Sequence, residues 1–172
     1  MNRREYLLVI IRGNSGSGKS TIASELRRCM VERGIKTALV EQDYLRRTVL
    51  KEHDIENGDN VDLVEQTVRF CLARGYAVVL EGILTFARYG AMLTRLANTC
   101  DRSAVYWLDV PFDETLRRHQ TKPNAHEFGE AEMRLWWRER DLTNLLGEKL
   151  LPAESTVSAS IHAILSDIGL AE

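Results

Sequence analysis

Apolar positions along the chain fall into two rhythms. Short β-rich apolar runs predict strands at residues 6–12, 37–41, 77–81 and 104–109, with a weaker one at 148–151. Longer amphipathic stretches lie between them and predict helices at 19–33, 44–51, 61–74, 86–98, 113–120, 130–146 and 157–168. Gly34, Gly75 and Gly169 stand where three of these helices should stop. Strands apolar throughout and alternating with helices predict the α/β class, a parallel sheet in a three-layer sandwich. No internal repeat, low-complexity tract or linker interrupts the pattern, so 172 residues are expected to form one domain spanning 1–172. Ligands of such sheets bind beyond the carboxyl ends of the strands. Two loop-like segments, 51–60 and 120–129, can reach that edge.

Composition narrows the functional classes only a little. With 44% hydrophobic and 28% charged residues, the chain has the make-up of a soluble globular protein. A formal net charge of -2 exerts no overall pull toward nucleic acid or membrane, so neither is expected as a partner. The runs "YLLVII" and "YAVVL" fall far short of the roughly 20 residues needed to cross a bilayer. The start "MNRREYLLVII" faintly echoes a secretion signal, but its apolar part is below the usual minimum of about 7 residues and runs into a glycine-rich loop. It reads as the first strand. Cys29, Cys71 and Cys100 show neither metal nor disulfide spacing, so reduced thiols and a cytoplasmic location are expected.

The strongest local signal is "GNSGSGKST". Gly13, four residues, then Gly18-Lys19-Ser20 make the phosphate-loop pattern. Successive backbone N–H groups of Gly13, Asn14, Ser15, Gly16, Ser17, Gly18, Lys19, Ser20 and Thr21 can curl around a phosphate, with glycines where a Cβ would clash. Lys19 would reach the β- and γ-phosphates, and the Ser20 hydroxyl would ligate Mg²⁺. A chance match in this length is on the order of one in a hundred. It also follows a strand and opens a helix, so a nucleoside triphosphate site is expected.

Other charged groups share that edge. Asp43, two residues past the second strand, can accept a proton from a hydroxyl attacking the γ-phosphorus, or bind Mg²⁺ through water. It can also simply cap the helix expected from Tyr44, with Arg46 and Arg47 on a solvated face. Arg46, one turn on, can hold an anionic or polar part of an acceptor. Glu81 ends an apolar strand where an acid can hold a Mg²⁺-bound water, and Gly82 lets an acceptor approach the backbone. A plain strand-end charge is the alternative. Asp109 ends its strand similarly, but a Val-Pro turn follows and it is left outside the site.

Arg117 and Arg118 precede a Pro/Asn/Gly loop, and Arg134 and Arg138 follow it. Arginines closing over a phosphoryl group in transit would offset its charge, though solvated faces and surface ion pairs explain most helical arginines. Arg134 and Arg138 share a helix face, whereas Arg117 and Arg118 point about 100° apart. Trp136 and Trp137 cannot both be core; plain packing is the first expectation for them, and stacking of one on a base or substrate ring the alternative. His53 can touch the acceptor. His119 and His126 are expected at the surface.

Together, "GNSGSGKST", "QDYLRR", "LEGIL" and "FDETLRRHQTKPNAHEFGEAEMRLWW" resemble a group of small bacterial P-loop kinases. That group is similar to chloramphenicol phosphotransferase, zeta-toxin kinases and tunicamycin-resistance ATP-binding proteins, and the resemblance covers nearly the whole chain. It implies strand order 2-3-1-4-5, a helical lid at about 117–138, ATP and Mg²⁺, and phosphoryl transfer to a hydroxyl. It also implies that Asp43 is the base and that Arg118 and Arg134 are lid arginines. The chain departs from nucleoside monophosphate kinases in lacking their signature between the second and third strands. The expected function is therefore an ATP-dependent kinase of a small-molecule acceptor: an antibiotic, a nucleoside or a sugar. The resemblance alone points toward antibiotic resistance. Alternatives are a nucleotide-sugar or RNA-end kinase, or a nucleotide-dependent switch that transfers nothing.

Overall fold

The computed structural model describes residues 5–121, 123, 125–142 and 147–171. Its strands are β1 (Leu7–Gly13), β2 (Thr37–Glu41), β3 (Ala77–Gly82), β4 (Arg102–Asp109) and β5 (Lys149–Pro152). Its helices are α1 (Lys19–Glu32), α2 (Gln42–Tyr44), α3 (Asp59–Ala73), α4 (Phe86–Thr99), α5 (Phe112–Gln120), α6 (Glu130–Trp136) and α7 (Val157–Asp167). The five strands form one sheet in the order β2-β3-β1-β4-β5, every pairing parallel. This is the expected class and order.

The central strand shows why its sequence is apolar at every step. Leu7, Val9 and Ile11 point into one core, against Ile22, Leu26 and Met30 of α1 and Ile161, Ile164 and Leu165 of α7. Leu8 and Ile10 point into the other, against Val64, Val68 and Leu72 of α3 and Tyr89, Leu93 and Leu96 of α4. Side chains alternate faces along a strand, so burial on both sides demands a continuous apolar run. Each such side chain contributes about 1.5–3 kcal/mol. The edge strand β5 buries only Leu151, which explains its weaker signal. Because α1 and α4 lie on opposite faces, the connections leaving neighbouring strands β1 and β3 diverge. A crevice therefore opens beyond their carboxyl ends.

Two expected helices differ. The helix expected at 44–51 starts at Gln42 and, past Tyr44, widens into a π-helical segment, Leu45–Leu50. Lys51 and Glu52 both donate their N–H to the Arg46 carbonyl, and Lys51 turns left-handed at φ 58°. The helix expected at 130–146 ends at Trp136. There the Asn14 side chain intervenes: Asn14 Nδ2 donates to the Arg138 carbonyl at 2.7 Å, and the Arg138 N–H donates to Asn14 Oδ1 at 2.9 Å. That N–H is lost to the helix, and Trp137 leaves it with ψ 136°. The last four positions of that expectation, 143–146, lie outside the described residues.

His119 is buried rather than on the surface. Its ring stacks on Phe128 at 4.3 Å, and Nε2–H donates to the Phe128 carbonyl at 2.9 Å. The three cysteines are free and partly buried, and burial pushes the Cys100 thiol up to about 11. Among the described residues no helix is long and apolar enough to cross a membrane.

Candidate functional site

The phosphate loop leaves β1 at Gly13 and enters α1 at Lys19. Gly16 (φ +80°) lies against α5, where an added Cβ would meet the Thr115 carbonyl oxygen at 2.5 Å. Both the left-handed backbone and the contact exclude a side chain. Gly16→Ala should therefore cost more than about 1–3 kcal/mol of stability, read as a lower denaturant midpoint. An unchanged midpoint would contradict this packing.

Within the loop, Lys19 is buried and its Nζ donates to the Asn14 carbonyl at 2.9 Å. Gly18 is the N-cap of α1 with no side-chain cap, and the first turn carries no acid, so the anion-attracting helix end is left to a ligand. Ser17 Oγ is buried and has no partner among the described residues.

Ser20 Oγ donates to Glu81 Oε1 at 3.0 Å. Glu81 closes β3 beside β1 and is only 4% exposed. Burial raises its pKa above the ordinary carboxylate range, with Glu41 and Asp43 adding to the rise and Lys19 and Ser20 opposing it. An acid whose pKa is higher folded than unfolded weakens the fold as pH rises through that interval. Glu81→Gln is thus expected to raise the melting temperature at neutral pH. The gain should vanish below pH of about 4, where both states carry the proton. A lower melting temperature for the variant would mean that the pairing with Lys19 and Ser20 outweighs the desolvation.

Asp43 sits in the first turn of α2 and does not cap it. The cap position is Glu41, with no side-chain cap bond. Instead Asp43 Oδ1 accepts from Arg46 Nη2 at 2.8 Å and lies 3.7 Å from Arg47 Nε. Arg46 is folded inward, also donates to the Glu52 carbonyl at 3.1 Å, and has a buried Nε without a partner among the described residues.

Two cavities meet at Asp43. The smaller, about 150 Å³, is lined by Gly16, Lys19, Ser20, Glu41, Glu81 and Gly82. The larger, about 420 Å³, is lined by Arg46, Arg47, His53, Asp54, Arg88 and Arg138, with Phe128 and Trp136. Ser15, Asp43 and Ile83 line both. Among the residues singled out by sequence, Lys19, Ser20, Asp43, Glu81 and Gly82 therefore converge, and Arg46 opens onto the adjoining chamber.

The arginines expected in a lid scatter. Arg118 links three places: Nη1 donates to the Ser17 carbonyl at 3.0 Å, Nη2 to the Ala153 carbonyl at 3.1 Å, and Nε to Glu114 at 2.6 Å. Arg117 pairs with Glu114 on an exposed face. Arg134 pairs with Glu130 and lies 4.2 Å over the Phe112 ring, lining neither cavity. Trp137 meets the same ring edge-on at 5.4 Å.

Several contributors carried no sequence motif. Arg88 donates to Asp54 at 2.9 Å, and Asp54 also accepts from the Tyr89 hydroxyl at 2.6 Å. Arg12 is fully buried at the end of β1. It donates to the Leu84 carbonyl at 2.9 Å, to Glu148 at 2.7 Å, and to the Asp141 carbonyl and carboxylate at 2.9 and 2.7 Å. Asp141 also accepts the Phe86 N–H at 2.7 Å. One arginine thus pins the β3–α4 connection to the chain beyond α6. Its signal was a charge inside an otherwise apolar strand.

A family model described as an AAA domain matches residues 8–141. The adenylyl-sulfate kinase of Pseudomonas aeruginosa is 27% identical over 121 residues, 69% of this chain and 61% of that protein. The chain thus spans less than two thirds of that relative. An APS kinase of Mycobacterium tuberculosis, solved with AMPPNP and APS, matches with a TM-score of 0.74 at 18% identity, over 97% of this chain and 99% of that one. A gluconokinase of Sinorhizobium meliloti matches with a TM-score of 0.65 at 17% identity, over 97% and 94%. At these identities the likeness establishes the fold.

Proposed function

The chain belongs to the AAA-domain family, and from that premise we propose that it transfers the γ-phosphoryl group of ATP, with Mg²⁺, to a hydroxyl of a small molecule. The observation that carries this reading is the position of Asp43 on the wall shared by the phosphate-loop cavity and a second chamber. A protein that only sensed nucleotide would need the first cavity but no carboxylate facing a second. The names of its relatives, kinases of adenylyl sulfate and of gluconate, support a small acceptor.

The residues fit both groups. The Gly16 cradle, the Ser17 hydroxyl with no partner among the described residues, and the uncapped start of α1 suit a phosphate chain held by residues 13–21. Ser20 and Glu81 form a hard-oxygen pair that would suit Mg²⁺. When bound, Mg–ATP supplies the phosphoryl group and draws charge off its oxygens. Asp43 would take the proton of the acceptor hydroxyl as its oxygen adds to the γ-phosphorus, while the bond from that phosphorus to the β,γ-bridging oxygen breaks and ADP leaves. Arg46 holds that carboxylate in place at 2.8 Å. Lys19 offsets charge on the transferring oxygens. Arg118 steadies the phosphate loop through the Ser17 carbonyl. Phe128, Trp136 and Arg138 wall the chamber, where a covering wall would help to exclude water. Arg134, outside both cavities, would join only if α6 moved inward.

The test is ADP release from Mg–ATP with and without a pool of hydroxyl-bearing small molecules. Acceptor-dependent stimulation is expected. ADP release indifferent to every acceptor would favour a nucleotide switch.

A further inference from the structure

Charge in the larger chamber runs against the charge of the molecule. The whole chain carries a formal -2, yet the chamber gathers four arginines, Arg46, Arg47, Arg88 and Arg138, against two aspartates, Asp43 and Asp54. The excess is not cancelled by close pairing. Asp43 is shared, 2.8 Å from Arg46 and 3.7 Å from Arg47. Arg47 is otherwise 3.8 Å from Glu127. Arg138 donates to the carbonyls of Leu135 and Trp137 and to no carboxylate among the described residues. Arg46 keeps a buried Nε without a partner among the described residues.

The wall behind these arginines is built rather than incidental. Asp54 is fixed by Arg88 at 2.9 Å and by Tyr89 at 2.6 Å. Gln42, the neighbour of Asp43, donates to the same Tyr89 oxygen at 2.9 Å. The base and the Arg88 anchor therefore hang on one buried hydroxyl. Phe128 and Trp136, packed edge to face at 5.0 Å, line the same chamber.

A neutral acceptor filling this chamber would strip water from surplus positive charge and return nothing for it. The geometry points to an acceptor that is itself an organic oxyanion, bearing a phosphate, sulfate or carboxylate that seats between Arg88 and Arg46 while its hydroxyl reaches Asp43. This rests on the phosphotransferase reading for the role of the hydroxyl, but not for the anion site. Guanidinium groups suit such anions because they donate in a planar fork.

Two measurements separate the anion site from the chemistry. In the first, inorganic sulfate is titrated at constant ionic strength against the intact protein, with tryptophan fluorescence as the readout, since Trp136 lines the chamber. Saturable binding is expected, weakened roughly 10- to 100-fold in Arg88→Ala, partly restored in Arg88→Lys, and tightened in Asp54→Asn. Sulfate held only by the phosphate loop would ignore all three substitutions, and that result overturns the proposal. The second measures turnover with matched acceptors: a nucleoside and its monophosphate, glucose and gluconate, glucose and glucose 6-phosphate. The charged member should be preferred at least about tenfold, with Arg88→Ala raising the acceptor KM and leaving the ATP KM alone. Equal use of the neutral members overturns it. Arg88-dependent sulfate binding with no transfer to any acceptor would remove the kinase reading and leave the anion site standing.

Discussion

Asp43→Asn should lower kcat by about 10²–10⁴-fold while leaving the affinity for Mg–ATP nearly unchanged. The substitution keeps the shape of the side chain and removes its ability to take a proton. Asp43 is half exposed and caps no helix, so little stability is at stake. It touches the shared wall of the two cavities, so the loss belongs to the step in which the hydroxyl attacks. The accompanying change, an Arg46 freed from its 2.8 Å partner, should if anything help an anionic acceptor to bind. A fall in kcat with a steady or lower acceptor KM is therefore the distinctive result. Equal losses in kcat/KM for ATP and acceptor, with kcat intact, would make Asp43 a binding residue only.

Lys19→Met should be comparably severe, about 10²–10³-fold in kcat, with weaker nucleotide binding as well. Lys19 is buried, and methionine keeps most of its volume, so the core contacts of α1 survive. Two charges are disturbed at once. The transferring oxygens lose their cation, and Glu81 loses a group that holds its raised pKa down. Glu81 then carries its proton to still higher pH and serves a Ser20-bound metal less well. The variant should accordingly need more Mg²⁺ and a higher pH to reach its own maximum rate. Turnover within about threefold of the parent protein would remove the phosphate loop from the catalytic account.

What could be read from the sequence depended on how local the cause was. The phosphate loop was legible because its residues are neighbours and their spacing is the mechanism. β1 and β3 were legible because burial on both faces leaves only apolar positions. β5 was faint because an edge strand with one buried side chain has almost no pattern. The overlong helix at 130–146 shows the limit of periodicity: Asn14, 124 residues away, takes the Arg138 backbone and ends it. His119 was misplaced for the same kind of reason, since the Phe128 ring and carbonyl that bury it come from the loop folding back.

The chamber was the least legible part. Arg46, Arg88, Phe128 and Arg138 lie on four separate segments and acquire a common purpose only in the fold. Arg46 was singled out because it sits one turn from Asp43, and Arg138 only as an arginine following the Pro/Asn/Gly loop; Arg88 and Phe128 gave no signal. Arg12 offered a usable hint, a guanidinium in a strand with no other polar side chain. Such a group must be satisfied when buried, and the satisfying partners, Asp141 and Glu148, turned out to organise the chain beyond α6.

The most direct measurement is mass spectrometry of acceptors incubated with Mg–ATP and either the unmodified protein or Asp43→Asn. The expected result is an acceptor that gains one phosphoryl group with the unmodified protein and scarcely any with the variant, although both bind ATP. An acceptor phosphorylated equally by both proteins would contradict it, because the carboxylate on the shared wall would then have no part in the transfer.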